Sequence, residues 1–206
     1  EGSIEGEAMI KAIETEYKGY RFRSRLEARW AVFFDTLGIA WEYEPQGFDL
    51  TEAYRDYTLT QDYRPLSQLK SGERLLYLPD FYLPLQKRYV EIKPYGGPEW
   101  WGSGYPLLYE KICDLLGGWL VHGNPGTKKD ETYEICTSGD VSYWFGYCPR
   151  CGTFNAGYGA WAERICKDHE KCGYHQKDDL SCTPPMLAAI AAARSARFEH
   201  GEHGAR

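Results

Sequence analysis

The stretch Leu78-Pro-Asp-Phe-Tyr-Leu-Pro-Leu-Gln-Lys-Arg-Tyr-Val-Glu-Ile-Lys-Pro94 decides how this chain is read. Arg74 to Leu78 has the composition of a strand and runs into Pro79-Asp80, and Phe81-Tyr82-Leu83 continues it beyond the bend. Pro84 and the polar Gln86-Lys87 make a turn, and Arg88 to Lys93 is the next strand. Pro94 stops that strand, because proline has no N–H to give to a ladder. Side chains alternate faces along a strand, so Glu91 and Lys93 stand on the same side. If the two strands pair antiparallel through the 84–87 turn, Asp80 comes close to Glu91. Two neighbouring carboxylates repel unless a cation lies between them, and a hard divalent ion such as Mg²⁺ suits oxygen donors. Such an ion stabilises charge building on a phosphate and acidifies a bound water. Lys93 would position or deprotonate that water, or stabilise the developing negative charge.

Upstream, Leu26, Trp30, Phe33, Phe34 and Leu37 recur with helical period. Ser24 followed by Glu27 is a capping box at the helix start, and Gly38 sits where a left-handed stop belongs. Glu27 therefore has a structural reason to be where it is, besides any role in an acidic cluster. Ile39 to Glu44 alternates in polarity like a strand with one buried face and ends at Pro45. Residues 50–72 are polar and show no clear period, which predicts an irregular excursion. Downstream, Trp100-Trp101 lies in a glycine-framed stretch, more suited to packing over the sheet than to wedging into bases. The pattern predicts a helix over 107–116 capped by Gly117-Gly118, strands over 119–122, 132–136 and 141–145, and a last alanine-rich helix over 186–198. That helix has high propensity but little apolar surface to bury.

The chain has 206 residues, a net charge of −6 and 43% hydrophobic residues, ordinary for a globular protein and unlike a disordered or collagenous one. The acidic balance argues against a protein that coats nucleic acid indiscriminately, but not against a local basic patch. Arg21, Arg23, Arg25 and Arg29 form such a patch around the helix that carries Glu27, and guanidinium forks match phosphate oxygens. Lys87 and Arg88 extend it. Aromatics are abundant at 16%, with 17 Tyr and 7 Trp, enough for stacking surfaces as well as a core. No apolar run approaches the roughly 20 residues of a membrane span. The glycine-broken opening stretch lacks the features of a secretory signal, and a cytoplasmic setting is expected.

Seven cysteines cannot all pair with one another, and five of them crowd between Cys148 and Cys182. Cys148-Pro-Arg-Cys151-Gly resembles a zinc knuckle, in which the C-x-x-C turn aims two thiolates at one ion. Cys166 and Cys172 are more widely spaced than a usual second pair. The expected site is Zn²⁺ on Cys148, Cys151, Cys166 and Cys172, with His169 or His175 replacing one of the last two as the alternative. Cys113, Cys136 and Cys182 read as small apolar bystanders, and His122 as a structural residue ending a strand.

Together, Pro79-Asp80, the ten residues that follow and Glu91-Ile92-Lys93 resemble the motif of the PD-(D/E)xK nuclease superfamily. The Arg23–Trp30 helix is similar to the one that carries its additional acidic residue. Within that superfamily the chain resembles phage-encoded endonucleases, with a C-terminal zinc-ribbon-like module. The resemblance implies an α/β restriction-endonuclease-like fold, a mixed β-sheet flanked by helices. The chain then divides into a core over 7–143, a zinc module over 144–183, and a C-terminal helix and tail over 184–206; the 50–72 excursion and the cysteine module are departures from the superfamily's minimal core. The resemblance further implies a Mg²⁺- (or Mn²⁺-) dependent DNA endonuclease with Asp80 and Glu91 on the metal, Lys93 serving the water and Glu27 completing the acidic set. DNA is then the partner, a homodimer the expected assembly, and the host cytoplasm the setting if the protein is phage-encoded. The competing reading is a non-catalytic nucleic-acid-binding or virion/assembly adaptor on the same scaffold.

Overall fold

The computed structural model describes residues 13–60, 72–94, 113–127, 129, 133–136 and 143–198. The Trp100-Trp101 pair, most of the helix expected over 107–116, and His200 and His203 lie outside them; residues 113–116 are helical. The chain is mixed α/β. A hairpin of β1 (Thr15–Tyr17) and β2 (Tyr20–Phe22) turns through Lys18 and Gly19, both at positive φ, as a two-residue hairpin turn requires. It leads straight into α1 (Arg25–Thr36).

The start and stop of α1 follow from its sequence. Ser24 is the N-cap, accepting the Glu27 N–H at 3.2 Å. At the other end Gly38, at φ +69°, gives its N–H to the Asp35 carbonyl while Ile39 gives its own to Phe34. This is a Schellman motif, made cheap by the glycine. Ala28, Trp30, Ala31, Phe33 and Phe34 are buried. The Trp30 indole N–H donates to the Gly123 carbonyl at 2.9 Å, joining the helix to the sheet.

One seven-stranded sheet organises the rest, in the order β11-β10-β9-β8-β7-β6-β3. Its strands are β3 (Glu42–Tyr43), β6 (Phe81–Leu83), β7 (Arg88–Lys93), β8 (Trp119–Gly123), β9 (Tyr133–Cys136), β10 (Tyr143–Tyr147) and β11 (Phe154–Tyr158). Only β7 and β8 run parallel, joined by the long crossover that a parallel pair needs. Val90 and Ile92 from β7, Val121 from β8 and Ile135 from β9 point into the core shared with α1. The C-terminal helix α4 (Pro184–Ser195) packs on the same core through Met186, Ala189, Ile190 and Ala193, so its small side chains do dock. The helix begins two residues before the expected start, with proline in its first turn, where the missing N–H costs nothing.

Three expectations are corrected. The alternating run 39–44 pairs only at Glu42–Tyr43, because Glu44 turns away at φ +45°. The 50–72 excursion is not irregular at its start: Thr51–Thr60 is helix α2, with Leu50 and Tyr54 buried four residues apart. Finally, Arg74–Leu78 contributes only Leu76–Tyr77 (β5), and that strand pairs with β4 (Phe48–Asp49) rather than joining the main sheet. The expected boundary at 143/144 falls inside β10. Phe145 and Phe154, from the cysteine-bearing β10–β11 hairpin, lie in the core beside Trp30 and Phe34. The hairpin is followed by a short helix, α3 (Ala162–Ile165).

Candidate functional site

The β6–β7 hairpin pairs Phe81 with Val90, which sets Asp80 across from Glu91. Both carboxylates are buried, at 2% and 4% exposed. Asp80 Oδ2 accepts the Ile92 N–H at 2.7 Å, and Oδ1 accepts from Arg23 Nη2 at 2.9 Å. Glu91 pairs with Lys93 on its own strand face, as strand alternation requires. Its second oxygen accepts from the Tyr77 hydroxyl at 2.5 Å. Glu27 accepts from the Ser24 hydroxyl at 2.6 Å, the Tyr43 hydroxyl at 2.6 Å and the Arg23 N–H at 3.2 Å. The capping role is therefore real, and Tyr43 on β3 ties that carboxylate to the sheet.

The electrostatics bind these groups into one site. Burial raises the Asp80 carboxyl well above the usual range, and the charges of Glu91 and Glu27 push it the same way. Lys93 and the Ile92 N–H oppose them. Burial works against the Lys93 ammonium, but Glu91 and Asp80 hold it above the ordinary value. His122 on β8 is the register partner of Lys93; burial and then that ammonium lower it to about 4. It is therefore a neutral imidazole at pH 7. Tyr77 is raised first by burial and then by Glu91.

Sequence reasoning brought Asp80, Glu91 and Lys93 together, and the structure does so too. It did not anticipate Tyr77, which arrives on the β4–β5 ribbon, or the second partner of Arg23, Glu44, at 2.7 Å. No local signal marks either, since both depend on pairings between distant segments. The arginine patch is largely committed within the chain. Arg21 pairs with Glu14, Arg23 with Asp80 and Glu44, and Arg29 donates to Asn124 at 2.9 Å. Arg88 donates to the Gly117 carbonyl at 2.8 Å.

The second polar cluster lies at the far edge of the sheet. Cys148 and Cys151 flank the β10–β11 turn, where Cys148 N–H donates to the Thr153 carbonyl and Gly152, at φ +70°, returns a bond to Cys148. Cys166 follows α3. The wide gap to Cys172 is taken up by a turn in which the Cys172 N–H reaches the Asp168 carbonyl, with Gly173 at φ +77° beyond it. All four sulfurs lie within 4.8 Å of one another. Cys151 Sγ is 3.5 Å from Cys166 Sγ, which is 3.6 Å from Cys148 Sγ. Neither His169 nor His175 belongs to this donor set; both line a neighbouring hollow with Tyr174 and Lys177. Burial works against the Cys151 thiolate, yet donors from Thr153 and the neighbouring thiols bring that thiol down to about 6. Four soft donors so disposed fit a tetrahedral metal ion such as zinc. Among the described residues this is the one set of three or more histidine, cysteine or acidic side chains whose donor atoms converge; Glu27, Asp80 and Glu91 make no such set of three.

Among the described residues no helix is long and apolar enough to cross a membrane. No protein-family model, curated protein or solved structure matches the chain.

Proposed function

We propose that this chain is a metal-dependent DNA endonuclease of the PD-(D/E)xK kind, built on a restriction-endonuclease-like α/β core. One observation carries the reading: two buried carboxylates, Asp80 and Glu91, face each other across an antiparallel pair, with the Lys93 ammonium on the same side. Buried carboxylates coupled to each other and to an ammonium are the kind of arrangement found at functional sites. Its oxygen donors suit Mg²⁺ or Mn²⁺, held by Asp80 and Glu91. When bound, such an ion supplies charge stabilisation at a phosphodiester and an acidified water.

The chain's own residues do the rest. Lys93, kept charged by Glu91 and Asp80, donates to the attacking water or to a phosphate oxygen and is poorly suited to act as a base. Glu27, engaged by Ser24 and Tyr43, supports the acidic set from α1. In-line attack would leave 5′-phosphate ends if the superfamily resemblance holds. The cysteine set would carry a structural Zn²⁺, with no open position for catalysis. A cytoplasmic setting and a dimer for double-strand cutting belong to the same reading.

The test is purified, zinc-loaded protein on supercoiled, branched and linear DNA, with Mg²⁺ and with no added divalent ion. EDTA is avoided because it would also strip zinc. Mg²⁺-dependent cleavage is expected, and Asp80→Asn, Glu91→Gln and Lys93→Ala should each lower it by roughly a thousandfold or more while leaving the melting transition in place. Three variants that cut as well as the parent would end the idea. The adaptor reading is favoured by a different fact: Asp80 and Glu27 already have protein donors on both oxygens. It expects DNA binding with no Mg²⁺-dependent cleavage on any substrate.

A further inference from the structure

We infer that Arg23 is a positioning arm that competes with the divalent cation for Asp80 and, once displaced, turns to the phosphate backbone of DNA. The inference rests on the metal-dependent reading above and adds to it a coupling between metal binding and DNA binding.

The geometry is specific. Asp80 offers two oxygens, and Oδ2 is committed to the Ile92 N–H by the hairpin itself. Oδ1 is the oxygen on which Arg23 Nη2 donates. A divalent ion on Asp80 and a guanidinium on the same oxygen are two positive charges within a few ångströms, so each weakens the other. The main chain of Arg23 does not have to move to resolve the conflict. Its N–H is held by Glu27 and by the Tyr43 hydroxyl at 3.1 Å, immediately before the N-cap of α1. The side chain is 57% exposed, whereas Asp80 is 2% exposed. It is the exposed partner of the pair, with room to turn toward solvent.

Glu44 keeps the arm local. Its N–H donates to the Asp80 carbonyl at 2.9 Å, fixing it beside the site, and its carboxylate makes an ion pair with the guanidinium, 2.7 Å from Arg23 Nε but without hydrogen-bond geometry. On leaving Asp80 the guanidinium pivots about Nε and turns its terminal N–H groups outward, where a planar fork suits a phosphate. Metal at Asp80 then creates a phosphate contact that the protein otherwise spends on itself.

The experiment compares the full zinc-loaded chain with Arg23→Gln, Arg23→Lys and Asp80→Asn. Mn²⁺ binding is measured calorimetrically at pH 8, which limits competition from protons. Binding of a short fluorescent duplex is measured by anisotropy with Ca²⁺ and with no added divalent ion. Arg23→Gln should bind Mn²⁺ about three- to tenfold more tightly, a range set by a charge-assisted bond to a half-exposed partner. It should also lose the gain in DNA affinity that Ca²⁺ gives the parent. Arg23→Lys should fall between them, since lysine keeps the charge without the fork. Unchanged or weaker Mn²⁺ binding in Arg23→Gln, or a Ca²⁺-induced gain that survives in it, overturns the inference. If Asp80→Asn binds Mn²⁺ as the parent does, the metal-dependent reading itself has failed, and the inference falls with it.

Discussion

At one edge of the sheet, four cysteines turn their sulfurs toward one point; toward the other, at β6 and β7, Asp80 and Glu91 each face a protein donor or cation of their own. The cysteine cluster is built almost entirely from local pieces: a knuckle turn between β10 and β11, a one-turn helix, and a short turn before Cys172. The carboxylate cluster draws on α1, β3, β5, β6 and β7. Four converging thiols gain from an ion that binds all of them at once. Carboxylates already compensated by Arg23, Lys93 and Tyr77 hold together without one, and an ion there must displace a partner. The first arrangement suits a permanent structural metal; the second, on the function proposed above, would take an exchangeable one.

The largest expected effect is on the cysteine side. Cys148→Ser should lower the zinc content below the roughly one ion per chain expected of the parent. It should also cost on the order of 5 kcal/mol or more of stability, because metal-binding free energy is folding free energy in such sites. Thermal melts with metal analysis check this. A variant that melts with the parent would show that the cluster is not structural, and the contrast with the carboxylates would vanish.

A middle-sized effect separates the buried groups of the carboxylate side by pH. The folded pKa of His122 is about 4 against an ordinary 6.5, so the unfolded chain takes up the proton first. Its contribution is fully present above about pH 6.5 and is lost as the pH falls toward 4, about 3 kcal/mol in all. Asp80 runs the other way. Its folded pKa is raised, so its contribution is full at low pH and is lost as pH rises above its ordinary 3.8. The two oppose each other between pH 7 and 4: relative to the parent, acidification should cost less urea stability in His122→Gln and more in Asp80→Asn. If neither variant alters the profile, the site is not electrostatically coupled as described.

The smallest effect concerns Glu27. Ser24→Ala removes the cap and one of the hydrogen bonds to Glu27, which should cost about 1 kcal/mol in a urea melt. Cleavage should change by only a few fold, because Tyr43 still holds that carboxylate. A loss as deep as that of Asp80→Asn would move Glu27 from support into the reacting set.

What the order of residues determined was local. Capping by Ser24 and Gly38, the β6–β7 hairpin that faces Asp80 with Glu91, the shared face of Glu91 and Lys93, and the Cys148–Cys151 knuckle all follow from turn chemistry and from periods of 3.6 and 2. These features act over a few residues and need no knowledge of the rest of the chain, whereas the choice of Cys166 and Cys172 over the nearby histidines was made by the fold. The helix at Thr51–Thr60 was missed because charged and polar residues interrupt its apolar positions; among its described surroundings Leu50 and Tyr54 are buried, and tertiary burial supplies the stabilisation that periodicity could not show. Tertiary structure alone decided that β5 leaves the main sheet and delivers Tyr77 to Glu91, and that Arg23 answers Asp80 rather than solvent. It also decided that His122 lies beside Lys93, and that β10 and β11 extend the central sheet. Each is a pairing across tens of residues, selected by which apolar faces can be buried together and which buried charges then require a partner.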